Sequence, residues 1–259
     1  MIRCDYHTHT NFSDGKNTPE EMVLSAISMG LTDYGISDHA YTSFDLGYCI
    51  PRERIGEYKQ TVLSLRDKYA DRIRIWLGIE QDIYTELPAD GYDYVIGSVH
   101  YLKVGEEFFP VDGEPWKLED VCKRHFGGDF YALADAYYDA VAGTVRRTGA
   151  DIIGHFDLVT KFNEKYGYFD PADDHYRRAW KKAADALLPE GKPFEINTGA
   201  ISRGWRTMPY PSAEICEYLR DQGAKFIFSS DSHAADTIAY RFDLLESLGI
   251  LPELFPKIP

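Results

Sequence analysis

Short, nearly continuous apolar runs recur along this chain, separated by stretches with helical spacing. Seven runs rich in Ile, Val, Phe and Tyr predict β-strands at Ile2–Tyr6, Asp33–Ser37, Ile73–Ile79, Tyr92–Ser98, Asp151–Phe156, Pro193–Asn197 and Lys225–Ser229. Continuity rather than alternation marks strands covered on both faces, as in a parallel sheet. Helices are predicted between them. Thr18-Pro19-Glu20-Glu21 supplies a cap, a proline at the first helical position and a capping-box glutamate, and Gly30 ends that helix. Others are expected at Arg52–Tyr69, at Leu118–Thr148 with a break near Gly127-Gly128, at Asp173–Leu188, at Ser212–Gln222 with Ser212 as cap, and at Asp236–Leu248, stopped by Gly249. Gln81 to Asp93 is too short for a crossover helix and predicts an irregular link. The alternation implies one α/β domain over residues 1–259, a distorted barrel of parallel strands.

The polar residues that interrupt this pattern are not scattered. Six of the eight histidines, His7, His9, His39, His100, His155 and His233, fall at or just past the C-terminal end of a predicted strand. Asp14, Glu80 and Asp231 occupy equivalent places. Parallel strands bring those ends to one face, so nine imidazole and carboxylate groups converge there, a donor set suited to divalent metals. His7 and His9 are two apart on a strand and leave it on one side, with Thr8 on the other; Asp231 and His233 repeat the spacing. Glu80 closes the apolar run Trp76-Leu77-Gly78-Ile79, where a carboxylate must be paired or metal-bound.

Each residue alone has a plainer explanation. A lone histidine is more often a hydrogen-bonded structural residue, Asp14 could cap the turn Ser13-Asp14-Gly15, and Asp231 could cap a helix. Those explanations do not account for ionisable residues ending six of seven strands on one face. Asp38 and Asp157 adjoin ligand candidates and could orient them. His125 and His175 fall in or beside helices and read as surface residues. Charge supplies a count: three carboxylates carry −3, three divalent ions would leave +3 for a phosphate dianion and a hydroxide, and two would leave only +1.

Composition narrows the context. The 259 residues carry a formal charge of −14, against the basic patch a broad nucleic-acid surface needs. No apolar stretch approaches the roughly 18 residues of a membrane span, and no basic-then-apolar leader is visible, so a cytoplasmic protein is expected. Cys4, Cys49, Cys122 and Cys216 form no CxxC pair and read as reduced, mostly buried thiols.

His7-Thr8-His9 with Ser13-Asp14, Ser37-Asp38-His39, Gly78-Ile79-Glu80, Gly97-Ser98-Val99-His100, Gly154-His155 and Ser230-Asp231-Ser232-His233 together resemble the polymerase and histidinol phosphatase (PHP) superfamily. Asp93–His100 and Glu195-Ile196-Asn197-Thr198 are similar to its stand-alone histidinol-phosphate phosphatases. The resemblance implies a distorted (β/α)7 TIM-like barrel and a trinuclear site of zinc, manganese or iron. It places His7, His9, Glu80 and Asp231 on one ion, Glu80, His100 and His155 on a second, and Asp14, His39 and His233 on a third. Aspartate at position 14, where some members carry histidine, is a harder ligand and favours manganese or iron over zinc. The loop Asn197-Thr198-Gly199-Ala200 departs from the Asn-Thr-Ser-Gly expected in several of these phosphatases.

The expected reaction is hydrolysis of a small phosphate monoester, L-histidinol phosphate in first place, by a hydroxide bridging two of the ions. Asp231 and His233 are the candidates for moving a proton at the leaving group. Arg203, in the loop after the sixth strand, is the first choice as phosphate clamp, followed by Arg206 and Lys161. The segments Phe44–Tyr48 and Phe108–Glu114 are candidate lids with acidic and aromatic side chains suited to a cationic, ring-bearing substrate. Other readings stay open: another PHP phosphoesterase acting on a nucleotide or sugar phosphate, a 3′–5′ exonuclease, a protein-phosphotyrosine hydrolase, or a non-catalytic metal-binding protein.

Overall fold

In the computed structural model, which describes residues 3–247, the apolar runs are strands and the sheet they form is parallel. In chain order the strands are β1 (Cys4–Asp5), β2 (Asp33–Ile36), β3 (Arg74–Asp82), β4 (Tyr94–Ser98), β5 (Tyr101–Val104), β6 (Glu107–Pro110), β7 (Ile152–Ile153), β8 (Phe194–Asn197) and β9 (Phe226–Ser229). Seven pair in the order β1-β2-β3-β4-β7-β8-β9, all parallel. The ends of that order meet just beyond the strands. Thr8 bridges Ser232, with His9 N–H donating to the Ser232 carbonyl at 2.8 Å and Ser232 N–H to the His7 carbonyl at 3.3 Å. The result is a nearly closed, TIM-like α/β barrel. Ile2, Leu248 and Gly249, part of the expected elements, lie outside the described residues.

A tyrosine fills the barrel. Tyr94 is buried and donates its hydroxyl to the Tyr6 carbonyl at 2.5 Å, in an interior shared with Cys4, Ile96, Ile152 and Ile227. Gly35 on β2 and Gly78 on β3 leave room for that ring, since a Cβ at either would collide with the Tyr94 side chain.

The helices are α1 (Pro19–Ser28), α2 (Ile55–Lys68), α3 (Pro115–His125), α4 (Phe130–Val141), α5 (Thr144–Thr148), α6 (Asn163–Tyr166), α7 (Asp174–Leu187), α8 (Gly199–Ser202), α9 (Ala213–Asp221) and α10 (Phe242–Ser247). The Thr18 capping box forms as expected. On α7, Tyr176, Ala179, Trp180, Ala183, Ala184 and Leu187 bury one face at helical spacing.

The differences have local causes. The long Leu118–Thr148 stretch is three helices. It breaks at Gly127 and Gly128, both at positive φ, restarts where the Asp129 carboxylate caps Tyr131 and Ala132, and breaks again at Gly143. Ser212 precedes α9 without a side-chain cap; its backbone N–H is drawn to Asp157 at 3.0 Å. The expected helix from Asp236 is interrupted because Ala239 and Arg241 take left-handed conformations, and the Ala239 N–H is held by the Asp5 carboxylate at 3.0 Å. The β5–β6 hairpin was not foreseen. It turns on Gly105-Glu106, with Gly105 at φ 61°.

Candidate metal centre

The face at the C-terminal strand ends is built by backbone geometry first. Beyond β1 the chain stays extended, and Thr8 turns away from the barrel mouth to donate to the Gly35 carbonyl at 2.8 Å. That leaves His7 and His9 on the other side. The chain then doubles back in a turn closed by Gly15 N–H to the Thr10 carbonyl at 2.9 Å, which brings Asp14 over His9. A Cβ on Gly15 would sit 2.6 Å from the His9 backbone, so this close approach requires glycine. The Asp38 carboxylate clamps the turn, accepting from Thr10 N–H at 2.8 Å, Thr10 Oγ1 at 2.8 Å and Ser13 N–H at 3.2 Å. Asp38 thus holds the segment that carries Asp14 rather than orienting its neighbour His39. Asp157 likewise does not orient His155: it receives Ser212 N–H and pairs with Arg206 at 3.5 Å.

Glu80 lies inside β3 instead of ending it, because pairing with β4 carries the strand on to Asp82. Its position makes it the hub of the site. Oε2 is 3.1 Å from His7 Nε2, 3.6 Å from His9 Nε2 and 3.0 Å from His39 Nδ1. Oε1 is 3.3 Å from His100 Nε2 and 3.0 Å from His155 Nε2, and accepts the Ser98 hydroxyl at 2.6 Å. Asp231 Oδ1 is 3.3 Å from His9 Nε2 and 3.5 Å from His233 Nδ1. Asp14 completes the ring, 3.7 Å from His39 Nε2 and 3.3 Å from His233 Nε2. All nine residues singled out by strand position therefore converge. Three overlapping groups place a donor from every member within 4.8 Å: His9, Asp14, His39 and His233; His7, His9 and Glu80; and His39, Glu80 and His100. His9 and His39 each belong to two groups, a sharing that the partition implied by the resemblance does not include.

Burial and like charge set the electrostatics. Burial works against protonating His7, but the Glu195, Glu80 and Asp231 carboxylates outweigh it and raise its pKa well above the usual imidazole value. His100 and His39 are raised against the same opposition, with Glu80 the leading attraction for each. His9 goes the other way: burial, then His233 and His39, lower it well below that value. Burial would raise Glu80 and Asp231, yet the surrounding histidines, and Arg203 at Asp231, hold both well below the carboxylate range.

Among the described residues, His7 Nε2, both His9 ring nitrogens, Glu80 Oε2, His100 Nδ1 and His155 Nδ1 are buried without a hydrogen-bond partner. Buried polar atoms normally find partners, and a group of imidazole nitrogens and carboxylate oxygens left facing one another at 3–4 Å fits divalent ions. The donor set is the site's own argument for metal.

Beside the cluster opens a cleft of about 640 Å³, lined by Asp14, His39, His100, His155, Asp231 and His233 on its floor and by Arg203 and Lys161 on its wall. Arg203 donates to the Asp231 carbonyl at 3.1 Å and to Asp231 Oδ2 at 2.9 Å. Lys161 donates to the Asp112 carbonyl at 2.5 Å, with the Asp112 carboxylate at 3.3 Å. Arg206 does not reach this cleft. It is buried behind it, against Thr160, Asp157 and the Tyr210 ring, because Asp157 needs a counter-charge there. At the rim, Phe44 stacks on Phe108 with centroids 4.1 Å apart, joining the two candidate lid segments over Tyr101 and Tyr48. His125 and His175 pair with Glu107 and Asp135, away from the cluster.

Three supporting carboxylates went unassigned at the sequence level. Asp5 accepts Ser230 N–H at 3.0 Å and its hydroxyl at 2.5 Å, immediately before Asp231, whose φ of 49° is left-handed. Burial pushes Asp5 up to about 6. Asp82 accepts His100 N–H at 2.7 Å. Glu195 accepts His155 N–H at 2.8 Å and lies 2.5 Å from His7 Nδ1. Glu195 and Asp82 carry the signal that marked Glu80, a carboxylate within or ending an apolar strand.

The sequence matches the PHP domain over residues 5–199. The chain belongs to the PHP domain family. Among the PHP proteins it resembles, the probable histidinol-phosphatase of Deinococcus radiodurans is 31% identical over 92% of this chain and 89% of that protein. The histidinol-phosphatase of Lactococcus lactis is 26% identical over 91% and 86%. The hisK protein of Listeria monocytogenes shares the fold with a TM-score of 0.81 at 21% identity, covering 93% of this chain and 99% of that one. The Lactococcus lactis phosphatase, solved with zinc, L-histidinol and phosphate, superposes with a TM-score of 0.69 at 23% identity over 96% and 95%. Among the described residues of this PHP chain, no helix is long and apolar enough to cross a membrane.

Proposed function

We propose that this protein is a metal-dependent phosphoric monoester hydrolase that converts L-histidinol phosphate to L-histidinol and phosphate, with three divalent ions held by the nine clustered ligands. The observation that carries the proposal is the juxtaposition of that cluster with a cationic wall and an acidic, aromatic rim in one cleft. The three overlapping donor groups support a count of three ions. His7, His9, Glu80 and Asp231 would hold one, His100 and His155 with Glu80 another, and Asp14, His39 and His233 the third. When bound, such ions lower the pKa of a coordinated water and neutralise phosphate charge.

The side chains supply the rest. Arg203 binds a phosphate oxygen from the wall, and Lys161, anchored by Asp112, is placed for a second contact. Asp231 and His233, 3.5 Å apart and both lining the cleft, are the groups placed to carry a proton to the leaving alkoxide. The organic end of the substrate, an ammonium and an imidazole, meets Tyr48 and Tyr101 with Asp45 and Glu114 at the rim. The relatives' histidinol-phosphatase names support this substrate over other small esters.

The test is phosphate release from L-histidinol phosphate beside nucleotide and sugar phosphates, with metal content measured on the same sample. Preference of at least about tenfold in kcat/KM for histidinol phosphate is expected. Equal or faster turnover of another ester would remove the substrate assignment and leave the phosphatase chemistry standing.

A further inference from the structure

Glu195 lies fully buried beneath the ligand cluster, and its surroundings leave it little chemical choice. Its Oε2 accepts the His155 backbone N–H at 2.8 Å and Asn197 Nδ2 at 3.0 Å. The Asn197 amide cannot be turned the other way, because its Oδ1 accepts the Gly199 N–H at 2.8 Å. Its Oε1 accepts the Ser229 hydroxyl and lies 2.5 Å from His7 Nδ1. The backbone N–H and the amide NH₂ at Oε2 can only donate, and the carboxylate offers Ser229 and His7 at Oε1 only an acceptor. Facing it, His7 Nδ1 must carry hydrogen. The other ring nitrogen, Nε2, 3.1 Å from Glu80 Oε2 and 3.9 Å from Asp231 Oδ1, is then the one that gives up its proton and offers a lone pair when an ion binds. By contrast, Nδ1 of His9, His100 and His155 has no hydrogen-bond partner among the described residues.

We propose that Glu195 is the positioning residue of the metal centre: it fixes His7 as the Nδ1–H tautomer, aims Nε2 at the ion shared with His9 and Glu80, and ties that ligand to the His155 strand. The inference rests on reading the cluster as a metal centre and is independent of the substrate. Glutamine would keep an oxygen for the His155 N–H and Asn197 and turn its NH₂ to His7 Nδ1, so the Glu195→Gln exchange, similar in shape and volume, removes the acceptor that holds the hydrogen on Nδ1. Partners of this kind change metal affinity by about 10–100-fold. Because Glu195 meets the ring of His7 but only the backbone of His155, and touches none of Asp14, His39 and His233, the loss should fall on the ion that His7 holds.

The experiment compares wild type, Glu195→Gln, His7→Ala and the double variant, each loaded with zinc, dialysed against graded chelator and measured for retained zinc by mass spectrometry. Affinity for one equivalent should fall about 10–100-fold in Glu195→Gln while the remainder holds as in wild type. In the His7→Ala background the same exchange should add less than about threefold, since the two act as one unit. Wild-type zinc affinity in Glu195→Gln, equal loss from every equivalent, or a full additional loss in the double variant would each overturn the proposal. If Glu195→Gln does not fold, long-range ¹H–¹⁵N spectra of zinc-loaded wild type, labelled at histidine, decide: a proton on His7 Nδ1 supports the assignment and one on Nε2 refutes it. A wild type that takes up no zinc or other divalent ion would remove the metal reading itself, a result distinct from those.

Discussion

Replacing Arg203 separates a phosphate clamp from a structural ion pair. A guanidinium has five N–H donors. Three of the five on Arg203 are engaged among the described residues: Nη1 reaches the Asp231 carbonyl at 3.1 Å and His233 Nδ1 at 3.1 Å, and Nη2 reaches Asp231 Oδ2 at 2.9 Å. Two remain for a phosphate in the cleft that the side chain lines. Hydrogen bonds to charged groups contribute about 1.5–3 kcal/mol each. Losing two that tighten as charge develops on phosphorus should cost about 3–6 kcal/mol, a fall of about 10²–10⁴ in kcat/KM. Arg203→Met should show that fall with L-histidinol phosphate and a parallel weakening of inhibition by inorganic phosphate. Arg203→Lys keeps the charge without the fork and should recover only part. Metal content must be followed in each variant, because Arg203 also steadies Asp231. If Arg203→Met retains its metal and stays within about threefold of wild type in both measurements, the clamp assignment is wrong. If activity and metal are lost in proportion, Arg203 acts by holding Asp231 and the phosphate argument fails.

Four further outcomes follow from the same geometry. Arg206→Met should leave the buried Asp157 carboxylate without its counter-charge, costing about 3–5 kcal/mol and lowering Tm by roughly 6–20 °C, while kcat of the folded fraction stays near wild type; a large loss of kcat with unchanged Tm would contradict its place behind the cleft. Gly199→Ala would put a methyl 2.6 Å from Asp231 Oδ2 and 2.8 Å from Arg203 Nη2, so kcat should fall about tenfold or more with little change in Tm, and wild-type turnover would show that the Asp231–Arg203 pair has slack that the geometry denies. Metal uptake near pH 7 should release protons, seen as a binding heat that varies with buffer, because nearby carboxylates raise His7, His39 and His100 in the metal-free site. The sign for stability follows: raised histidines stabilise the metal-free fold fully below the ordinary imidazole value of about 6.5, and lose that contribution as pH rises through their folded values. Glu80 and Asp231 are depressed below the carboxylate range and do not titrate there. Metal-free Tm should therefore decline above about pH 6.5, and a flat or rising profile would show that the histidines are not held protonated.

Periodicity made the barrel legible because its strands are buried on both sides. Each predicted run overlaps an observed strand, and β2, β8 and β9 differ from theirs by a single residue at one end. The sequence was poorer where neighbours, not local pattern, decide the backbone. Nothing in Asp236–Leu248 reveals that Asp5, more than 200 positions earlier, captures the Ala239 N–H and breaks the helix. The β5–β6 hairpin escaped because its strands cover the cleft rim instead of joining the barrel, and so lack the continuous apolar run. The metal-ligand candidates were readable as a set because parallel strands turn one position in sequence, the C-terminal end, into one place in space.

The basic residues had no such rule. Arg203 and Arg206 are three apart in one loop and look interchangeable in sequence, yet one lies beside Asp231 in the cleft and the other beneath it against Asp157. What divides them is which buried carboxylate each must neutralise, a property of packing around Tyr210 and Thr160 that spacing does not encode. Glu80 and Glu195 make the complementary case. Both are carboxylates in apolar strands, and the cost of burial demands a partner for each. Glu80 sits at the level of the ligand histidines and faces their ring nitrogens. Glu195 is surrounded by donors from Asn197, Ser229 and the His155 backbone, and meets His7 at the ring nitrogen turned away from Glu80. A buried carboxylate on a strand thus announces that something cationic or donating must face it. Whether that is an ion or the far side of the ion's ligand is settled by which donors and which ring nitrogen the neighbouring strands turn toward it.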